Sequence, residues 1–165
     1  MPLTTTTDLR ADLRTMAQGF RAIGANAGAW LIPEFVLRAG IDCIPQPLPR
    51  GYRRRTPKMC FANTAALVRR ALGLTYVEGY VATSRVMFPV HHAWAINADN
   101  EVIDPTLGDP ALCAYVGVPI TREDYETLTR KGKSASALLD EVGCVRVDYM
   151  AERCPALREL MSQPC

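Results

Sequence analysis

The stretch His91-His92-Ala93-Trp94-Ala95-Ile96-Asn97-Ala98-Asp99-Asn100-Glu101-Val102-Ile103-Asp104-Pro105-Thr106 decides how this chain is read. Two apolar, β-prone runs, His92 to Ala98 and Glu101 to Asp104, flank the turn residues Asp99 and Asn100, which predicts a hairpin. Strand alternation sends His92, Trp94 and Ile96 to one face and His91, Ala93 and Ala95 to the other. A three-residue loop, Ala98-Asp99-Asn100 with Asn100 left-handed, places Asp104 opposite Trp94 and diagonal to His92 on one face. A two-residue loop would move Asp104 to the face of His91, a slip that exchanges the histidines. The three-residue loop is the preferred reading.

Upstream lies Lys58-Met59-Cys60-Phe61-Ala62-Asn63. Ala62, Ala65, Ala66, Leu67, Ala71 and Leu72 favour helix and Gly73 follows as a stop, so Cys60 to Leu72 is predicted helical with the thiol in its first turn. Helix N-terminal dipoles and a nearby imidazolium lower a thiol pKa from its usual value of about 8.5. A neighbouring histidine takes the thiol proton and returns it to the leaving group, while a carboxylate on the other ring nitrogen fixes the tautomer. Cys60, His92 and Asp104 fit nucleophile, base and orienter. The N–H of Cys60 is a natural oxyanion donor, and a second is not obvious from sequence.

The order Cys60, then His92-Ala93-Trp94, then Asp104-Pro105-Thr106 resembles the transglutaminase-like branch of the papain-fold cysteine enzymes. The resemblance covers residues 57 to 107, including the strand-like Tyr76 to Ala82. It implies an α+β fold, an antiparallel sheet against the helix that carries the cysteine. It also implies acyl transfer from amides or thioesters through a thioester on the cysteine. The chain departs from the papain pattern, which carries a Gln shortly before the cysteine, because Arg53-Arg54-Arg55-Thr56-Pro57-Lys58 stands there. It has no acidic calcium loop of EF-hand spacing either.

The remaining segments read as framework. Leu9, Leu13, Met16, Phe20 and Ile23 form the stripe of a helix over residues 8 to 26 with Thr7 as cap. A second helix near Pro33 to Arg38 ends at Gly40. Pro45, Pro47, Pro49, Gly51 and Pro57 make residues 43 to 57 an irregular loop, and Gly108, Pro110, Gly117 and Pro119 make the stretch after Asp104 turn-rich. Thr121-x-x-Asp124 resembles a capping box, and residues 134 to 142 and 149 to 161 look helical. The division is one domain: helices over 8–40, core over 57–107, helical C-terminal part over 121–161.

At 165 residues and 48% hydrophobic content, the chain builds one core. A net charge of +2 gives no footprint for nucleic acid. The sequence has neither a run of spanning length nor a secretory signal, so a cytoplasmic, non-membrane protein with reduced thiols is expected. The six cysteines, Cys43, Cys60, Cys113, Cys144, Cys154 and Cys165, are scattered singly, without C-x-x-C. No cofactor or metal is expected.

Candidate substrate contacts are Trp94, Tyr52 and Arg55, with core packing beside the site as the preferred reading of Trp94. Arg50, Arg53, Arg54, Arg55 and Lys58 read as a solvated loop or as a contact for an acidic or phosphate-bearing group. His91 is expected to be structural or to support the site from behind, Asn63 to bond locally, and Glu78 to face solvent, with a place in the cleft as the alternative. The expected function is acyl transfer on a protein, peptide or carrier-linked substrate, hydrolysis being favoured because no acceptor site is evident. The alternatives are a noncatalytic binding or scaffold protein, and a metal protein using Cys60, His92 and Asp104 with Cys113.

Overall fold

The computed structural model describes residues 5–24, 31–129 and 139. Helix α1 (Thr6–Ala22) is opened by Thr5, whose side chain accepts from the Asp8 N–H while Asp8 bonds back to the Thr5 N–H. This capping box starts the helix two residues before the expected Thr7 cap. Of the predicted stripe, Leu9 and Leu13 are fully buried beside Ala17, whereas Phe20 and Ile23 are exposed. Helix α2 (Ile32–Ala39) stops at Gly40. Gly40 has ordinary extended dihedrals, and it is glycine for space: a Cβ there would stand 2.4 Å from the Val36 carbonyl oxygen.

Strand β1 (Ile41–Cys43), helix α3 (Cys60–Arg70), strands β2 (Thr75–Ala82), β3 (Val90–Ile96), β4 (Val102–Ile103) and β5 (Ala114–Ile120), and helix α4 (Arg122–Thr129) follow. The strands form one antiparallel sheet in the order β1-β5-β2-β3-β4. It curls until its edges touch, through a bridge between Ile44 and Glu101. Ile44 N–H donates to the Asn100 carbonyl and Val102 N–H to the Ile44 carbonyl, each at 2.9 Å.

Curling sorts side chains by period two. Val77, Val81, Trp94, Ile96, Val102 and Tyr115 pack inside with Cys43 and Cys113. Tyr76, Tyr80, Ala93, Ala95, Val116 and Val118 face outward onto Leu9, Leu13, Phe35, Val36, Ala65 and Val68 of the helices. The mixed α+β class expected from sequence is present, with helix α3 packed on the sheet.

Two strands were not expected. β1 lies between the helix stop at Gly40 and the irregular loop that starts at Cys43, where the sequence reads as no regular element, and β5 carries Gly117 and Pro119. Gly117 leaves room for the Trp94 ring, and Pro119 lies past the end of β1, whose last pairing is Ile41 with Gly117. Thr121 caps α4, accepting from the Asp124 N–H at 3.1 Å. The helices read over 134–142 and 149–161 lie outside the described residues, as do Cys144, Cys154 and Cys165. No helix among the described residues is long and apolar enough to cross a membrane.

Candidate active site

Helix α3 begins against local preference. Met59 stands at the cap position and offers no side-chain hydrogen bond, and Lys58 before it holds φ 63°, a left-handed conformation that costs a non-glycine residue about 1–2 kcal/mol. The first helical bond runs from Asn63 N–H to the Met59 carbonyl at 2.8 Å, so the N–H groups of Cys60, Phe61 and Ala62 have no partner within the helix. Tertiary bonds hold this start in place. Asn63 Nδ2 donates to the Thr56 carbonyl at 2.8 Å and to Thr106 Oγ1 at 3.1 Å, which corrects its local role. Thr64 Oγ1 donates to the Ala93 carbonyl at 3.0 Å and docks α3 on β3. Arg55 N–H donates to the Pro105 carbonyl at 2.8 Å, fastening the loop before Cys60 to the turn after Asp104.

The hairpin loop has three residues, with Asn100 at φ 60°. Ile96 pairs with Val102 and Ala95 with Ile103, so Asp104 comes opposite Trp94 on the face of His92. His92 Nε2 stands 2.7 Å from Asp104 Oδ2. Asp104 is fully buried and accepts three further bonds, from Tyr115 Oη at 3.0 Å and from the N–H groups of Thr106 at 2.7 Å and Leu107 at 3.1 Å. Burial works against ionisation of this carboxyl, yet the His92 bond and charge and the two backbone donors outweigh it and hold its pKa below the ordinary carboxylate value.

Burial likewise pulls the His92 pKa down. The bonds and charges of Asp104 and then of Cys60 reverse this and push it up to about 9. With Nε2 on Asp104, Nδ1 is the nitrogen left to face the thiol. Cys60 and His92 are 7% and 4% exposed, so the pair sits just beneath the surface. Burial drives the thiols of Cys43 and Cys113 each up to about 11. All three cysteines among the described residues are free.

The site's surroundings correct several expectations. Trp94 is wholly buried, its ring 6.2 Å from that of His92 at 17° and 5.0 Å from that of Tyr115 at 62°. It therefore packs behind the imidazole and offers no platform to a substrate. Gln46 Nε2 donates to Glu101 Oε1 at 3.2 Å. Tyr52 lines a groove with Pro47, Leu48, Arg54 and Leu112, and neither Cys60 nor His92 reaches its wall. Arg55 is half-buried.

Glu78 does not face solvent. It is fully buried on the other face of the sheet, where its carboxylate accepts from Leu139 N–H at 2.7 Å and Tyr76 Oη at 3.1 Å, with His91 Nε2 3.1 Å away. Adjacent histidines thus lie against carboxylates on opposite faces. Among the described residues no three His, Cys, Asp or Glu side chains are grouped to hold a metal ion.

Tyr115, the fourth partner of Asp104, was not foreseen, because β5 was read as turns. Its strand alternation, Tyr115 inward and Val116 outward, was the available signal. No protein-family model matches this chain, and neither does any curated protein or solved structure.

Proposed function

We propose that this chain is a cofactor-independent cysteine acyl-transfer enzyme of transglutaminase-like type, acting on an amide or thioester. The observation that carries the reading is His92 held between Asp104 and Cys60, with its pKa pushed up to about 9. An imidazolium at neutral pH stabilises a thiolate beside it. In the reaction, Cys60 sulfur attacks the acyl carbon and the carbonyl π electrons move to oxygen, where the N–H groups of Cys60 and its helix neighbours hold the negative charge. Collapse of the tetrahedral adduct breaks the bond to the leaving amine or thiol, which takes the His92 proton. The acyl group is then a thioester on Cys60. His92, now neutral, removes a proton from water, whose oxygen displaces the sulfur and restores the thiolate–imidazolium pair. An amine in place of water would give transfer, and hydrolysis remains the favoured outcome. The substrate is a protein, peptide or carrier-linked acyl group, and the free thiols suit a reducing, cytoplasmic setting.

The burial of Cys60 and His92 favours a second reading, a noncatalytic binding or scaffold protein on the same framework. Limiting iodoacetamide between about pH 5 and pH 9, read by intact mass and peptide mapping, separates the two. For the enzyme, Cys60 is labelled well below neutral pH, the rate drops in His92→Ala, and the label is absent from Cys60→Ala. Slow labelling of all cysteines alike, unchanged by His92→Ala, would end the catalytic reading.

A further inference from the structure

Two arginines from separate segments meet beside the turn that follows Asp104. Arg54, in the loop before Cys60, donates through Nη1 to the Leu107 carbonyl. Leu107 N–H in turn donates to Asp104 Oδ1 at 3.1 Å, so Arg54 is one residue removed from the Asp104 hydrogen-bond set. Arg85, in the β2–β3 connection, pairs with Asp109 at 2.8 Å. Both guanidinia converge on Gly108, whose ideal Cβ position lies 3.8 Å from Arg54 Nη1 and 3.7 Å from Arg85 Nη1.

The charges here do not balance. Two cations approach one glycine, the carboxylate beside them, Asp109, is paired with Arg85, and Arg54 has no acidic partner among the described residues. Arg85 and Asp109 are 77% and 55% exposed, so their ion pair contributes little and opens readily. Beside them lies a groove of about 500 Å³, walled by Leu48, Tyr52, Pro110 and Leu112, with Arg54 and Asp109 on its lining.

The geometry points to an anion-binding subsite formed by Arg54 and Arg85 at the mouth of this groove, which anchors a phosphate or carboxylate group of the acyl substrate. Its meaning as a substrate subsite rests on the catalytic reading of Cys60. Guanidinium forks suit both oxyanions, binding through paired N–H donors. Asp109 occupies the place of the ligand's anion and swings away from Arg85 when the ligand enters. Arg53 and Lys58 are exposed on the same loop, and neither lines the groove.

The test follows arginine Nε–Hε resonances, assigned by substitution, during titration of the full chain with inorganic phosphate and, separately, acetate. The expected result is saturating shifts of Arg54 and Arg85 with one shared Kd, lost in either Arg54→Gln or Arg85→Gln and kept in Arg53→Gln. Asp109→Asn should tighten binding about threefold, a gain that a damaged fold would not produce. The stronger of the two titrations identifies the oxyanion. Unsaturating shifts spread over all arginines, or no gain in Asp109→Asn, would overturn the subsite.

The link to Cys60 is read by labelling with N-bromoacetylethanolamine phosphate, N-bromoacetyl-β-alanine and neutral N-bromoacetylethanolamine. The anionic reagent of the preferred class should react about tenfold faster than the neutral one, a ratio taken within each variant that Arg54→Gln and Arg85→Gln should each erase. Equal rates at an iodoacetamide-reactive Cys60 would overturn the subsite's role in substrate binding alone. A Cys60 inert to iodoacetamide would instead remove the catalytic reading on which that role rests.

Discussion

Gly117 faces the indole of Trp94 so closely that a Cβ on the glycine would stand 2.6 Å from Cη2 and 2.8 Å from Cζ2. The missing side chain is what lets the ring lie flat inside the curled sheet, and the ring backs His92. Packing of Gly117 therefore reaches the candidate site through one intermediary.

Gly117→Ala should destabilise the protein by about 3 kcal/mol, although alanine is ordinarily the better strand residue. The clash is with a ring rather than a flexible chain end, so the cost cannot be relieved locally. Trp94→Phe in the same chain should recover part of the loss, a favourable coupling readable in a double-mutant cycle by urea unfolding. Additive effects of the two substitutions would show that the ring yields without cost.

Stability should depend on pH through His92. Its folded pKa of about 9 exceeds the ordinary 6.5, so folding favours the protonated ring. The contribution is complete below about pH 6.5 and lost as the pH rises through about 9, amounting to on the order of 3 kcal/mol. Asp104 acts in the opposite sense: its lowered pKa contributes above the ordinary carboxylate value and is lost as the pH falls through the folded value. Urea midpoints of wild type and His92→Gln should therefore converge between about pH 6.5 and pH 9. Parallel curves across that range would contradict the raised histidine.

Met59→Ser should stabilise α3 while slowing Cys60. A serine at the cap position accepts from an N–H in the first turn, worth about 1 kcal/mol. The same bond withdraws a donor from the neighbourhood of the thiol and should reduce iodoacetamide labelling several-fold near neutral pH. Thermal midpoint and labelling rate moving in opposite directions would identify this uncapped start as stability yielded to reactivity. A faster Cys60 would exclude it.

Local chemistry made some of this architecture readable and long-range pairing hid the rest. Asn100 tolerates the left-handed conformation, which fixed the loop length and with it the face of Asp104. Ala-rich helix 60–70 with a glycine beyond it, and the Thr121–Asp124 cap, were equally local. β5 was missed because Gly117 and Pro119 carry the marks of turns, and their reasons for being in a strand are a distant indole and the end of a distant neighbour. Glu78 reads as a surface residue because nothing adjacent to it announces Tyr76, His91 and Leu139 as its company. The same limit hides Tyr115 from Asp104 and the Leu107 carbonyl from Arg54.

The bridge between Ile44 and Glu101 has a bearing on self-association. The two borders of the sheet are β1, of three residues, and β4, of two. Open borders of a sheet are templates for the strand of another molecule, and length is what makes them dangerous. Here each border is too short to seed a ladder, and the donors and acceptors that extend them at Ile44 and Val102 are spent on each other. Substituting Ile44 by proline removes the N–H that bonds to Asn100, yet the borders stay short and proline itself blocks strand pairing, so the expected consequence is a loss of stability on urea unfolding with no rise in thioflavin fluorescence on incubation.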